Sequence, residues 1–349
     1  RAYNCRHLCA TRLGQTARRA MKGKAAAPVP FAARLLGVVL LALGAAGLVG
    51  AALRFHLAVP RADLVAARQT PVVVRVNTFR RNDLLAKFVE HYELCTRVRE
   101  ITVVWSDVER PPPKWLEKRA RVTGHRARVV VERHEVDSLN NRFKPLSPVE
   151  TPVSSRLFVR RPRSDGPPNA AQAVFSVDDD LFVTCEALAS LVDVWHSAPT
   201  QMVGVAPRLI SHRDSTYRYL RWWHVWWNGK YNVVLTKAAV FHRDYLTAYS
   251  LKDDATMSAV RAHVDVHRNC EDLGMSFVVA NATGSPPIWV REKYVDYGES
   301  WGAHAGISGG SGHVETRADC VAHFAKLFGR MPLATATHKV VDAELQWWW

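Results

Sequence analysis

Residues 174–180 read VFSVDDD, a short apolar run that ends in three carboxylates. Val and Phe favour a pleated, buried surface, so the run predicts a buried strand. Such a strand would deliver Asp178, Asp179 and Asp180 together at its carboxyl end. In a sheet of parallel strands, ligands bind at that edge. The stretch therefore predicts an α/β fold with an acidic ligand site at one edge of its sheet.

Other short apolar runs flank this stretch on both sides. We predict further strands over 71–77, 101–105 and 128–132, and one or two more within 231–240. We predict helices over 83–92, 185–195, 271–281 and 315–328. Strands that alternate with helices favour a largely parallel sheet covered on both faces, the Rossmann-like arrangement. The apolar residues within 146–171 follow neither the helical period nor the alternation of a strand, so we predict a surface loop there.

The three aspartates favour a site for a hard divalent cation. Carboxylate oxygens suit Mg²⁺ or Mn²⁺. A cation held by Asp178–Asp180 can bridge the two phosphates of a nucleotide sugar and stabilise the charge on the departing diphosphate. The alternative is the start of a helix, where acidic residues are also favourable.

An uninterrupted apolar stretch, LLGVVLLALGAAGLVGAAL, occupies residues 35–53. Its length matches the roughly 20 residues of helix needed to cross a hydrocarbon core of about 30 Å, which predicts a membrane anchor. A signal peptide is the alternative. Its apolar core usually spans only about 7 to 15 residues and precedes a cleavage site. Here Arg54 follows the stretch directly.

The positive charge is concentrated before this apolar stretch. The formal net charge is +15, and residues 1–34 contribute eight Lys or Arg side chains and no acid, which leaves +7 for the rest. This distribution argues against a nucleic-acid partner. The positive-inside bias places residues 1–34 in the cytosol and the remainder in the lumen. We therefore expect a single-pass type II protein of the Golgi or endoplasmic reticulum membrane.

The chain divides on these grounds into five predicted segments. They are a basic tail (1–34), an anchor (35–53), a short stem (54–70), a folded domain (71–335) and a C-terminal tail (336–349). The lumenal part contains Cys95, Cys185, Cys270 and Cys320. An oxidising lumen permits two disulfides among them, by any of three connectivities.

Six ordered blocks between residues 72 and 333 carry a more specific signal. They are 77–85 (NTFRRNDLL), 138–143 (SLNNRF), 175–180 (FSVDDD), 203–208 (VGVAPR), 269–277 (NCEDLGMSF) and a last block made of 306–308, 312–313 and 317–320. Together these blocks resemble the exostosin-type domain of glycosyltransferase family 64. The last blocks resemble its plant and algal single-domain members most.

The resemblance implies a GT-A glycosyltransferase fold and Mn²⁺-dependent, retaining transfer from a UDP-N-acetylhexosamine donor, with Mg²⁺ as an alternative ion. The implied acceptor is a glycan or glycolipid, and a homodimer is compatible with the class. Position by position, Asp180 would ligate the metal, Asp178 would approach the uridine ribose and Asp179 would lie near the donor sugar. Arg81 and Arg142 would contact the donor.

Two further residues receive catalytic roles from the resemblance. Asp272 would lie beneath the reacting sugar, and Arg317 would reach the diphosphate, where a planar guanidinium suits oxygens that gain charge. Arg81 and Asp272 also have a simpler interpretation. Arg81 would be a surface charge at the start of a helix, and Asp272 would be an acid at a helix terminus, stabilised by the helix dipole. Lys237 stands where relatives usually have glycine.

Cys270 and Cys320 lie close in sequence to these two residues, so we predict a disulfide between them. It would draw the two segments together across the reacting centre. Free thiols, or pairing with Cys95 or Cys185, are the alternatives.

The tryptophans at 222, 223, 226 and 227 form an aromatic patch. Burial in the core is the usual role of such residues, and stacking on sugar faces is the alternative.

Two rival functions use the same residues. A catalytically lapsed, membrane-anchored scaffold of a glycosyltransferase complex has no physical need for Asp180, Asp272 and Arg317 together. A metal-dependent phosphohydrolase has no need for an arginine beside a nucleotide and would release phosphate rather than UDP. The residues therefore favour the active transferase.

Overall fold

A computed structural model of the chain describes residues 37, 39–45, 70–122, 127–146, 172–298 and 312–342. The chain divides into two compact units, 1–64 and 65–349. In the first unit, residues 39–45 are helical. Among the described residues, no helix is both long enough and apolar enough to cross a membrane. Several predicted segments lie outside the described residues. They are the basic tail (1–34), most of the anchor (35–53), the stem apart from Thr70, and residues 147–171 of the predicted loop.

Thirteen strands are described in the second unit. In chain order, they are β1 (Val72–Thr78), β2 (Val98–Trp105), β3 (Arg128–Arg133), β4 (Ala173–Asp178), β5 (Leu181–Val183), β6 (Val203–Gly204), β7 (Pro207–Arg213), β8 (Thr216–Leu220), β9 (Val233–Val234), β10 (Ala238–His242), β11 (Ile288–Arg291), β12 (Tyr294–Asp296) and β13 (Val340–Val341).

Eight α-helices and one 3₁₀ turn accompany the described strands. The helices are α1 (Asn82–Glu93), α2 (Lys114–Arg121), α3 (Cys185–Ser197), α4 (Trp222–Asn228), α5 (Asp244–Ser250), α6 (Ala255–His267), α7 (Glu271–Thr283) and α8 (His313–Leu327), and the 3₁₀ turn covers Leu139–Phe143.

The central sheet has eight strands in the order β13-β11-β6-β10-β4-β1-β2-β3. Strand β10 runs antiparallel to both its neighbours, β4 and β6. The other neighbouring pairs in this sheet are parallel. The predicted α/β class with a largely parallel sheet is therefore confirmed. Strands β1 and β4 lie side by side at its centre, so their carboxyl ends open onto the same edge.

Apolar side chains cover both faces of this sheet, which explains why its central strands read as continuous apolar runs. Phe175 on β4 belongs to one buried cluster, with Phe88 of α1 and Leu188 of α3. The next residue back, Val174, belongs to the opposite cluster, with Leu273 of α7. Alternation along the strand sends consecutive side chains to opposite faces. Burial on both faces fixes the position of the aspartates that follow β4.

Every strand and helix that the sequence predicts within the described residues is present, with small shifts at the ends. The region 231–240 forms two strands, β9 and β10. Residues assigned to a C-terminal tail also contribute to the domain. Ala336 forms a β-bridge with Tyr231, and β13 pairs with β11.

The interpretation of the tryptophan patch as core is wrong. All four side chains are exposed on α4. The helix buries Val225 instead.

Two disulfides link the described cysteines. Cys270, at the start of α7, is bonded to Cys320 in α8, which is the pair that the sequence predicts. Cys95, just after α1, is bonded to Cys185, the first residue of α3. The first bridge joins the helices that carry Asp272 and Arg317.

Removing the Cys270–Cys320 bridge with serines at both positions should lower the free energy of unfolding by roughly 4 kcal/mol, because the bridge closes a long loop in the unfolded chain. Serines at Cys95 and Cys185 are the matched control and should cost a similar amount. Turnover should fall only in the first variant, whose bridge joins the Asp272 and Arg317 helices. Denaturant titration and peptide mapping without reduction are the measurements. Equal turnover in the two variants would contradict the positioning role.

Candidate active site

The three aspartates lie where β4 ends, opposite the end of β1. Arg81 follows β1 and pairs with two of them. Its Nη1 lies 3.0 Å from Asp179 Oδ1 and also donates to Asp180 Oδ2. Thr78, the last residue of β1, donates from Oγ1 to Asp179 Oδ2 over 2.7 Å. The parallel pairing of the two strands therefore brings Arg81 to the acidic cluster.

Burial and mutual repulsion disfavour the charged forms of these carboxylates. Burial raises the pKa of Asp179 to about 7, although the neighbouring Arg81 opposes the shift. The pKa of Asp180 is raised by burial and by the charge of Asp178, again against Arg81. Positive charge stabilises such a cluster, because it favours the ionised carboxylates.

A further carboxylate approaches Asp180 from β12. Strand β12 pairs with β5, which directly follows the aspartates, and Asp296 lies opposite Leu181. The charge of Asp296 contributes to the raised pKa of Asp180. Lys237 pairs with Asp296 over 2.6 Å. At Gly298 a Cβ would lie 2.5 Å from Asp180 Oδ2, so any other residue there would displace the Asp180 carboxylate.

The buried guanidinium of Arg142 connects the acidic cluster to the start of α7. Its Nη2 donates to Asp178 Oδ1 over 2.7 Å. Its Nη1 donates to Glu271 Oε1 over 3.2 Å. One side chain therefore bridges the end of β4 and the residue next to Asp272.

Arg75 holds the turn that carries Arg142. This arginine lies in the middle of β1 and is almost fully buried. It donates from Nε to the Arg142 carbonyl over 2.7 Å and from Nη2 to the Asn141 carbonyl over 3.2 Å. Both of its terminal nitrogens donate to Glu132, over 3.0 and 2.6 Å. Arg75 is therefore a positioning residue for Arg142.

Asp272 and Arg317 form a buried ion pair between α7 and α8. Arg317 Nη2 donates to Asp272 Oδ2 over 2.6 Å. Its Nη1 donates to Asn269 Oδ1 over 3.2 Å, and its guanidinium carbon lies 4.6 Å from the centre of the Tyr219 ring. Burial alone would raise the pKa of Asp272, but Arg317 outweighs it, and the pKa lies below the ordinary value. Asp272 is therefore ionised at neutral pH.

The pKa of Glu271, the residue before Asp272, is shifted in the opposite direction. Burial and the charge of Asp272 raise the pKa of Glu271 from 4.5 to about 7. Two adjacent carboxyls with pKa values displaced in opposite directions are typical of functional sites.

The raised pKa of Glu271 predicts a pH dependence of stability. Between about pH 4.5 and 7 the folded state binds the extra proton, so stability should fall as pH rises through this window, by up to about 3 kcal/mol. Glu271→Gln should remove this slope. Urea titrations of both proteins at pH 5 and 8 measure it, and the contribution of Asp179 cancels in the difference. Parallel slopes in the two proteins would contradict the assignment.

The structure brings the predicted site residues together through direct contacts. Arg81 touches Asp179 and Asp180, Arg142 touches Asp178, and Arg317 touches Asp272. Sequence reasoning missed Arg75, Glu271 and Asp296. Of these, Arg75 carried a signal as a charged residue inside an apolar strand, and Glu271 lies within the quoted block 269–277. Residues 306–308 of the last block lie outside the described residues.

The residues at the end of β4 fit a hard divalent cation in their chemistry. Asp180 offers carboxylate oxygens, and because burial and the charge of Asp178 raise its pKa, a cation bound there would favour its ionised form. Within the described part of the chain, no three His, Cys, Asp or Glu side chains are grouped so that they could hold a metal on their own. Mg²⁺-type ions are commonly bound by one or two carboxylates together with substrate phosphates.

The chain belongs to glycosyltransferase family 64. The family profile described as "Glycosyl transferase family 64 domain" matches residues 71–154 and 167–346. The match covers both parts of the site: the aspartates at the end of β4, and the Asp272–Arg317 ion pair on α7 and α8.

Named relatives share this region. Glycosylinositol phosphorylceramide mannosyl transferase 1 of Arabidopsis thaliana is 36% identical over 82% of this chain and 81% of that protein. Exostosin-2 of Mus musculus is 29% identical over 76% of this chain, which spans 33% of that protein. Glucosamine inositolphosphorylceramide transferase 1 of Oryza sativa is 32% identical over 71% of this chain and 29% of that protein.

Proposed function

We propose that this protein is an active transferase of the GT-A type that moves an N-acetylhexosamine from a UDP-sugar to a glycolipid and retains the anomeric configuration. Family membership supports sugar transfer. Two relatives carry inositolphosphorylceramide acceptors in their names, which supports a glycolipid of that class as the acceptor here.

One observation carries the proposal of activity. Arg142 bridges Asp178, at the proposed donor site, and Glu271, beside the Asp272–Arg317 pair. The residues proposed for donor binding and for chemistry therefore form one connected cluster at the edge of the sheet. A scaffold that had lost its activity would have no reason to keep three buried charged side chains, Arg142, Asp272 and Arg317, because removing charges from water is costly even when they are paired.

We assign the residues the roles that the family resemblance implies. Asp180 would hold Mn²⁺, with Mg²⁺ as the alternative ion, and the bound cation would stabilise the charge on the departing diphosphate. Arg81, Asp178 and Asp179 would bind the donor. Asp272, ionised and buried, would lie under the reacting sugar. Arg317 would orient Asp272 and present positive charge toward the diphosphate.

A mannosyl donor is the second candidate, because the Arabidopsis relative is named as a mannosyl transferase. The choice is an outcome of the donor experiment.

The experiment is a donor panel with detection of the released nucleotide. The purified chain is incubated with Mn²⁺ and UDP-GlcNAc, UDP-GalNAc, UDP-glucose or GDP-mannose. We expect metal-dependent release of UDP from an N-acetylhexosamine donor. Release of GDP alone would replace the donor assignment by mannose. Release of inorganic phosphate would indicate the phosphohydrolase, and no release with any donor would favour the lapsed scaffold.

We also propose that the domain acts in the lumen of the Golgi or endoplasmic reticulum, anchored through residues 35–53. The two disulfides support an oxidising compartment. Protease protection of the domain in sealed microsomes would test this topology, and cleavage without detergent would contradict it.

A further inference from the structure

Helix α4 places four tryptophans in solvent. Trp222 and Trp223 are 56% and 51% exposed, and Trp226 and Trp227 are 66% and 78% exposed. Monomeric soluble domains rarely expose a contiguous apolar patch of large side chains without an interaction that uses it. The role proposed above for the site does not use any of these rings.

The four rings share one side of the helix. At about 100° per residue, positions 222, 223, 226 and 227 cover an arc of roughly 140°. Val225 points the other way and is buried. Gly229, in the left-handed conformation with φ of 62°, ends the helix. The short helix therefore presents one continuous aromatic face, which we call the Trp face.

Exposed basic residues flank the Trp face in the sequence. Arg218 and Arg221 precede the helix, Lys230 follows it, and all three are exposed. Between residues 207 and 231 the sequence contains a single acid, Asp214, which lies 3.6 Å from Arg213. The surface is therefore aromatic and basic.

We propose that the Trp face docks on the surface of an anionic lipid bilayer. Trp combines an apolar ring with a polar N–H and is enriched at membrane interfaces. Basic side chains beside it would contact anionic headgroups. A seven-residue helix is too short to cross a bilayer, so α4 would lie in the interface.

The composition favours a lipid surface over a soluble glycan. Stacked sugars also need carboxylates or amides for their hydroxyls, and the amide of Asn228 already donates to the His224 carbonyl over 2.8 Å. Glycan stacking would also leave the three basic side chains without a role.

Docking would bring the candidate active site to the lipid surface. A single residue, Arg221, separates the end of strand β8 from the start of α4, and Tyr219 of β8 lies under Arg317. A glycolipid headgroup in the same bilayer would then lie close to the Asp272–Arg317 pair. This consequence rests on the proposed function, whereas the docking itself does not.

The test is quenching of Trp emission by brominated lipid. The full chain is reconstituted in vesicles of brominated phosphatidylcholine, with or without phosphatidylserine. Residues 1–104 contain no tryptophan, so insertion of the apolar stretch 35–53 is silent in this measurement. We expect stronger quenching with phosphatidylserine. Trp226→Ser/Trp227→Ser should lose at least about a third of the wild-type quenching, since exposed interfacial rings contribute most of it.

Two variants serve as controls. Trp115→Ser removes a partly exposed tryptophan on α2, beside β3 at the far edge of the sheet, and should be quenched like the wild type. Arg218→Gln/Lys230→Gln should lose the preference for phosphatidylserine. Circular dichroism melting curves verify that each variant is folded, and Trp227→Ser alone replaces the double variant if that one does not fold.

The proposal is overturned if Trp226→Ser/Trp227→Ser is quenched like the wild type. It is also overturned if the emission of the Trp face does not respond to vesicles but responds to a soluble oligosaccharide or to protein concentration. A response to the oligosaccharide would indicate glycan binding, and a response to protein concentration would indicate self-association. No nucleotide is present in the measurement, so a failure of the transferase proposal leaves its result unchanged.

Discussion

Asp180→Ala is expected to lower the affinity for UDP in the presence of Mn²⁺ by about 100-fold or more, since it removes the single carboxylate proposed to hold the cation against the diphosphate. Affinity should fall as well as rate, because the proposed metal would be part of the nucleotide site. The fold should remain intact. Arg81 keeps its partner Asp179 at 3.0 Å when Asp180 is lost.

Calorimetric titration with UDP, with and without Mn²⁺, measures the effect without any need for turnover. Glu109→Ala is the matched control, because Glu109 is an exposed carboxylate paired with Arg80, the neighbour of Arg81. This control should bind UDP like the wild type. Wild-type affinity in Asp180→Ala would remove Asp180 from the metal site, and chelation of the metal should reproduce the loss in the unmodified protein.

The sequence predicted the central strands well because they are buried on both faces. Val72 to Val76 and Ala173 to Val177 show almost no exposure, so the requirement for apolar side chains is nearly continuous. The hairpin of β7 and β8 was not predicted. Its strands carry polar and charged residues such as His212 and Arg218, and its order comes from pairing and packing rather than from an apolar period.

The candidate site was only partly predictable, for a different reason. The aspartates after β4 form a local motif, and a single strand prediction places them at the sheet edge. The role of Arg75 depends on Glu132 and on a turn more than sixty residues away, so only the fold reveals it. Likewise Asp296 reaches Asp180 through the pairing of β12 with β5. Contacts between distant segments leave no pattern in a single sequence.

The tryptophans show the limit of composition as a guide to burial. Aromatic side chains are usually core, and a run of four within six residues favours that prediction. In a seven-residue helix, however, one buried residue, Val225, suffices to seat the helix on its neighbours. The remaining positions are then free to form the Trp face.

Asp272→Asn is expected to leave UDP and Mn²⁺ binding within about threefold of the wild type and to lower turnover by about a thousandfold or more, because in the proposed role its charge would act mainly as charge develops on the sugar. The asparagine can keep the local geometry. Asp272 Oδ1 accepts from the Leu273 N–H over 2.7 Å, and an amide oxygen can do the same. Arg317 retains Asn269 and the Tyr219 ring as partners.

Stability separates a catalytic role of Asp272 from a structural one. Losing one partner of a buried ion pair costs about 3 to 5 kcal/mol when nothing replaces it, and less here because Arg317 keeps other partners.

Asp265→Asn is the control. This carboxylate accepts from Asn140 over 2.9 Å and supports the turn that carries Arg142, so the variant should lose stability while turnover changes less than about tenfold. Turnover is measured well below the melting temperature of each variant, with UDP affinity from calorimetry on the same samples. A folded Asp272→Asn protein that turns over like the wild type would reduce Asp272 to a structural partner of Arg317, whereas intact binding with lost turnover places its charge under the reacting sugar.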